Sequence, residues 1–214
     1  MRSAFGFSLA MLAWSVPSLA CAPPAEQTRY RIEYASFGDI GREVLTFRCE
    51  GEQLVVDWTV DVTVRVLFVT AYRREAHYRE IWQDGRLIRF ESHTDDNGRR
   101  IAVVARANGG SMVIEGPDGP REVPSTVVPT DPWNQNVVDR TLLFDRTDGK
   151  VLQVNVADAG KEPIQVDGRT ICARKFIVSG DLERELWYDP AGARVRSRFR
   201  REGGAITITR QRSS

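Results

Sequence analysis

Tyr78, Glu80, Trp82, Arg89, Glu91 and His93 flank an Asp84-Gly85 dipeptide in the stretch AHYREIWQDGRLIRFESHT. Two carboxylates near a histidine can carry acid–base chemistry when one of them titrates abnormally. Asp-Gly between alternating residues is a strong signal for a two-residue type I′ hairpin turn. That turn predicts Gln83 opposite Arg86, Trp82 opposite Leu87, Glu80 opposite Arg89, Tyr78 opposite Glu91 and Ala76 opposite His93. The six residues then share one hairpin face, with cross-strand partners about 5 Å apart. Glu80–Arg89 and Tyr78–Glu91 become pairs. Paired charges are common on solvated sheet faces, and catalysis needs an unpaired, shifted group. The pattern therefore favours a solvated, ion-paired face, and no catalytic residue is assigned; an enzyme using Glu80, Glu91 and His93 is the alternative.

Other chemistry is sparse. The two histidines, His77 and His93, fall out of phase in this register and project to opposite faces, so they share no metal. The sequence has no CxxC pair, HExxH, glycine-rich phosphate loop or GxSxG elbow. No metal or cofactor is expected. Trp133 and Asn134 follow Pro132 at a predicted helix start. They either line a cavity mouth or, the favoured reading, plug an open end of the sheet.

There are three cysteines, Cys21, Cys49 and Cys172. Arg2 and the apolar run AFGFSLAMLAWSV read as a secretory signal over residues 1–20, too short for a comfortable membrane span. Cys21 follows it in SLAC, an imperfect lipobox with Ser18 where leucine is usual. It reads as a lipid anchor, as half of a disulfide, or as a by-product of the cleavage site. In an exported chain, lipidation of Cys21 would leave Cys49 and Cys172 to bridge or to remain buried thiols.

These residues need elements to hold them. Residues 21–28, with Pro23 and Pro24, read as a tether, and residues 29–212 as a single β domain. In LVVDWTVDVTVRVLF, from Leu54 to Phe68, every second residue is apolar, which is a half-buried strand. Fifteen extended residues span roughly 50 Å, so such a strand must coil. PTDPWNQNVVDRTLLF carries a possible cap at Thr130 or Asp131, Pro132 at a first helical position and an apolar stripe, which predicts one short helix near 131–144. The rest is a meander of strands and turns. The expected fold is all-β: a strongly curved antiparallel meander sheet, an open or half barrel, with that one helix.

Charge excludes one class of function. The first twenty residues hold Arg2 and no acid, and removing them leaves 29 basic against 29 acidic residues. A neutral domain makes no electrostatic case for nucleic acid. The arginines are scattered and read as a solvated surface.

Linked motifs give a resemblance. They are E-x-W-x-D-G-x-L at Glu80 to Leu87, T-D-D-N-G at Thr94 to Gly98, P-T-D-P-W-N at Pro129 to Asn134, T-D-G-K-V at 147–151 and L-W-Y-D at 186–189. With the signal peptide, the pattern resembles an uncharacterised family of exported Gram-negative bacterial proteins, a domain of unknown function. The resemblance implies a curved antiparallel fold and no established activity. At fold level alone the chain is also similar to periplasmic lipoprotein carriers, whose incomplete barrels hold acyl chains. The sequence thus leads to an exported, periplasmic envelope protein, anchored to the outer membrane if Cys21 is lipidated. Its expected partner is a lipid, another apolar or amphipathic ligand, or a protein; a purely structural module is the remaining alternative.

Overall fold

The computed structural model describes residues 21–201 and 203–212; the predicted signal peptide lies outside them. Fifteen strands form one sheet. In chain order they are β1 (Gln27–Tyr34), β2 (Gly38–Glu50), β3 (Gln53–Val66), β4 (Val69–Gln83), β5 (Arg86–Asp96), β6 (Arg99–Asn108), β7 (Ser111–Gly116) and β8 (Gly119–Pro124). Then follow β9 (Val128–Pro129), β10 (Leu142–Phe144), β11 (Val151–Val166), β12 (Arg169–Gly180), β13 (Arg184–Tyr188), β14 (Arg194–Arg201) and β15 (Gly204–Arg210). The spatial order is 8-7-6-5-4-3-2-1-15-14-13-12-11-10-9, so β1 on β15 joins the two ends of the chain. Every pairing is antiparallel except β9 on β10. The sheet does not close, because β8 and β9 are both edges.

Alternation builds this sheet and curls it. Along β3, Val56, Trp58, Val60 and Val62 are buried, as their period-two phase predicts. The strand stops at Val66, however, and Leu67 and Phe68 form the turn to β4. Curling tucks one edge inside the barrel: Phe144 of β10 packs edge-on against Phe90 of β5 at 5.0 Å, and both are fully buried.

The predicted helix near 131–144 is corrected to a single 3-10 turn, Gln135–Val137. Asp131 has φ 60°, which a helix cap does not allow. Its carboxylate reaches Arg184 and Arg146 instead of capping amides. Leu142 to Phe144 join the sheet, and Val137, Leu143 and Phe144 fill the interior, so the apolar stripe belongs to a barrel plug.

The cysteine pairing also differs from expectation. Cys21 is bridged to Cys49, with Cα atoms 5.8 Å apart, and Cys172 is an exposed free thiol opposite Pro163. The Cys49–Cys172 bridge is therefore not formed. The Cys21 sulfur carries the bond to Cys49, and the same sulfur cannot also bear a lipid thioether. Nor are residues 21–28 a loose tether: Glu26 accepts a backbone hydrogen bond from Phe47, and Gln27 and Thr28 already belong to β1.

The hairpins that turn on two residues include those with flanking pairs 66/69, 83/86, 96/99 and 166/169. In all four, both turn residues have positive φ. Three use Asp84-Gly85, Asn97-Gly98 and Asp167-Gly168, which tolerate that conformation; the fourth uses Leu67-Phe68. The 67–68 and 97–98 turns lie at one end of the barrel, and the 51–52 and 84–85 turns at the other.

Candidate functional site

The barrel encloses a cavity of about 400 Å³. Its wall is apolar and comes from strand alternation: Val60, Val62 and Val64 of β3, Ile32 of β1, and Ile206 and Ile208 of β15. Its mouth is rimmed by Phe37, Val66 and Ala71, at the end of the 67–68 turn. The opposite end is plugged. Trp133 packs edge-on against Phe47 at 5.2 Å and Trp82 at 6.2 Å. Trp133 is thus the plug favoured from sequence, and Asn134 beside it bridges Ala193.

Charged groups form the cavity floor. Glu43 is in phase with Leu45 and Phe47 on β2 and so turns inward, where it is 1% exposed. Its two oxygens accept from Arg146 Nη2 at 3.2 Å and Arg194 Nη2 at 2.5 Å. Arg146 is carried in by the turn after β10; its backbone N–H donates to Thr130 Oγ1 at 3.4 Å. Arg146 Nη2 also lies 3.7 Å from Asp131 Oδ2, and Arg184 of β13 forms an ion pair with the same carboxylate. Aromatic faces complete the shell. Arg146 sits 4.3 Å from the Trp58 ring and 4.6 Å from Tyr78; Arg194 lies 4.3 Å from Tyr30, and Arg184 4.2 Å from Phe199. Reading all the arginines as a solvated surface was therefore wrong for these three.

In this ion-paired cluster three guanidiniums meet two carboxylates, one positive charge in excess, and Asp145 and Arg74 line the same cavity. Burial pushes the Glu43 carboxyl up, but Arg194 and Arg146 outweigh it and hold the group below its ordinary value. Burial, then the Arg194 charge, push Arg184 down to about 9, opposed by the Glu43 charge and by Tyr188. Arg146 Nη1 and Arg184 Nε are buried without a hydrogen-bond partner. Both residues line the cavity. Buried donors of this kind are costly unless something accepts from them. Asp131 itself is held at φ 60°, an uncommon backbone state of the sort that gathers at binding sites.

The hairpin constellation does not assemble. The register begins as predicted, with Gln83 opposite Arg86 and Trp82 opposite Leu87. It then slips at a bulge, so that Ile81 faces Arg89, Glu80 faces Phe90, Arg79 faces Glu91 and Tyr78 faces Ser92. Tyr78, Glu80 and Trp82 point inward and are buried, whereas Arg89, Glu91 and His93 point outward. Arg89 Nε donates to Glu91 at 2.8 Å on the outer face. Glu80 and His93 lie on opposite faces and cannot share a substrate. The slip also brings His77 directly opposite His93, contrary to the expected phase. Among the described residues no group of three metal-ligating side chains forms.

Glu80 takes a different part. Its Oε2 accepts from Trp82 Nε1 at 2.8 Å and Trp133 Nε1 at 3.1 Å, tying the plug to the wall. Burial raises its pKa, opposed by those two hydrogen bonds. A carboxyl raised on folding contributes stability below its unfolded pKa and loses it as pH rises through the folded value. Glu80→Gln keeps an acceptor without the charge. Its unfolding free energy should exceed that of the wild type at pH 8, with the gap closing toward pH 4, as denaturant titrations at both pH values will show.

Comparison with known proteins agrees with this architecture. A beta-barrel-like protein of domain of unknown function DUF1849 from Brucella abortus superposes with a TM-score of 0.61 at 11% identity, covering 89% of this chain and 96% of that one. At that identity the likeness shows the fold alone. No curated protein matches the sequence. A family model matches residues 30–211, nearly the whole described sheet, and the chain belongs to that family, the domain of unknown function DUF6134.

Proposed function

We propose that this protein is an exported binding module that holds a single-tailed amphipathic anion, such as a long-chain carboxylate, tail toward the mouth and head on the floor. The observation that carries the reading is the pairing of an apolar cavity of about 400 Å³ with a buried floor bearing one excess positive charge. Ligand pockets of this size are mostly apolar with a few placed polar groups. The guanidiniums of Arg146 and Arg184, which line the cavity with side chains 10% and 9% exposed, supply those groups. The export signal read in residues 1–20 supports an envelope location, where acyl chains are abundant.

The test is displacement of an environment-sensitive acyl probe from the wild-type protein. Dodecanoate is expected to displace it with roughly 10- to 100-fold higher affinity than dodecanol, since hydrogen bonds to a charged group contribute about 1.5–3 kcal/mol. Equal affinities would remove the cationic floor from the account. Displacement by neither compound would remove the ligand.

A further inference from the structure

We propose that the Leu67-Phe68 turn is a docking tip that inserts into the surface of an anionic lipid bilayer. The first observation is a comparison within the molecule. Four hairpins impose positive φ on both turn residues, and three meet it with Asp-Gly or Asn-Gly. At 67–68 the chain places leucine and phenylalanine, which adopt that conformation only with strain. Packing does not explain the choice, because Leu67 is 86% and Phe68 102% exposed. Strain kept without a folding benefit points to function.

The surroundings identify the occupant. Val66, Val69 and, on the neighbouring β1–β2 turn, Phe37 are also exposed, so the tip belongs to an apolar patch. Phe37 and Val66 line the cavity mouth as well, making patch and mouth continuous. Arginines flank the tip: Arg65 and Arg73 on its own strands, and Arg99 and Arg100 at the adjoining β5–β6 turn. Arg73 pairs with Glu75 and Arg100 with Asp95, whereas Arg65 and Arg99 have no ion-pair partner among the described residues. An apolar tip inside a basic collar fits acyl chains beneath anionic headgroups, which attract arginine near the surface. A second copy of the chain would bring a like-charged collar against the first.

The experiment is flotation of the disulfide-intact mature protein with vesicles of phosphatidylglycerol and phosphatidylcholine, or of phosphatidylcholine alone. Binding is expected with the anionic vesicles and is expected to weaken as salt rises. The variant carrying Leu67→Asn and Phe68→Gly should lose binding by at least about tenfold, because two large side chains no longer enter the bilayer. Its unfolding midpoint should equal or exceed the wild type's, since Asn-Gly suits the turn. Phe68→Trp should show a blue-shifted emission increment on mixing with anionic vesicles. Unchanged flotation of the Asn-Gly variant would overturn the proposal. So would a dimer in sedimentation that the variant abolishes, with no vesicle binding by the wild type. These readouts need no ligand in the cavity, so this proposal and the cavity reading fail separately.

Discussion

Glu43→Ala is expected to destabilise the protein by about 3–5 kcal/mol, the cost of leaving buried guanidiniums unpaired. Glu43 is 1% exposed and is the carboxylate that Arg194 and Arg146 share. Removing it leaves the Asp131 carboxylate, which pairs with Arg146 and Arg184 but not with Arg194. Arg194 is fully buried and loses its charged partner, keeping only a carbonyl contact to Asp131 at 3.5 Å and its aromatic neighbours. The loss should be pH-dependent in a defined direction. Glu43 is depressed on folding, so its contribution is present above the unfolded carboxyl pKa and disappears as pH falls through the folded value. Urea denaturation at pH 7 should show the full deficit, and wild type and variant should converge in acid. The double variant Glu43→Leu, Arg194→Met should recover part of the loss, because an apolar pair avoids the unpaired charge.

Arg184→Met carries the largest expected effect on binding. Removing Arg184 leaves Arg146 and Arg194 against Glu43 and Asp131, so the floor becomes neutral while Asp131 keeps Arg146 nearby. The flexible methionine fills much of the arginine volume beside Phe199. The variant should fold. Its preference for dodecanoate over dodecanol should fall from roughly 10- to 100-fold to within about threefold, as the charged hydrogen bond is gone. Affinity for dodecanol should hold, because the valine and isoleucine wall is untouched. Loss of both ligands together would instead assign Arg184 a purely structural part.

The fold was legible where alternation is long. β3 declared itself by seven apolar residues in phase, and Asp84-Gly85 fixed the first two pairs of the β4–β5 hairpin. The bulge beyond them was the costly miss, since one inserted residue moves every later side chain to the other face. It left a trace: the unbroken register puts Trp82 and Leu87 on the face read as solvated and Phe90 on the other, although all three are large apolar residues and all three are buried. Glu43 was legible in the same way, sharing the phase of Leu45 and Phe47. Arg146, Arg184 and Arg194 were not. They come from a turn and two strands, and only tertiary closure brings them onto Glu43 and Asp131. The false helix had sound local signals, and they lost to ion pairing of Asp131 and burial of Val137, Leu143 and Phe144. The disulfide turned on long-range proximity as well, which cysteine counting does not supply.

The measurement that bears most directly on the central claim is a crystal structure of the protein grown with dodecanoate. The account predicts the alkyl chain along Val60, Val62 and Val64 and the carboxylate within hydrogen-bond distance of the Arg184 or Arg146 guanidinium. A cavity that stays free of dodecanoate, or a carboxylate at the Phe37 mouth with the tail inward, would contradict it.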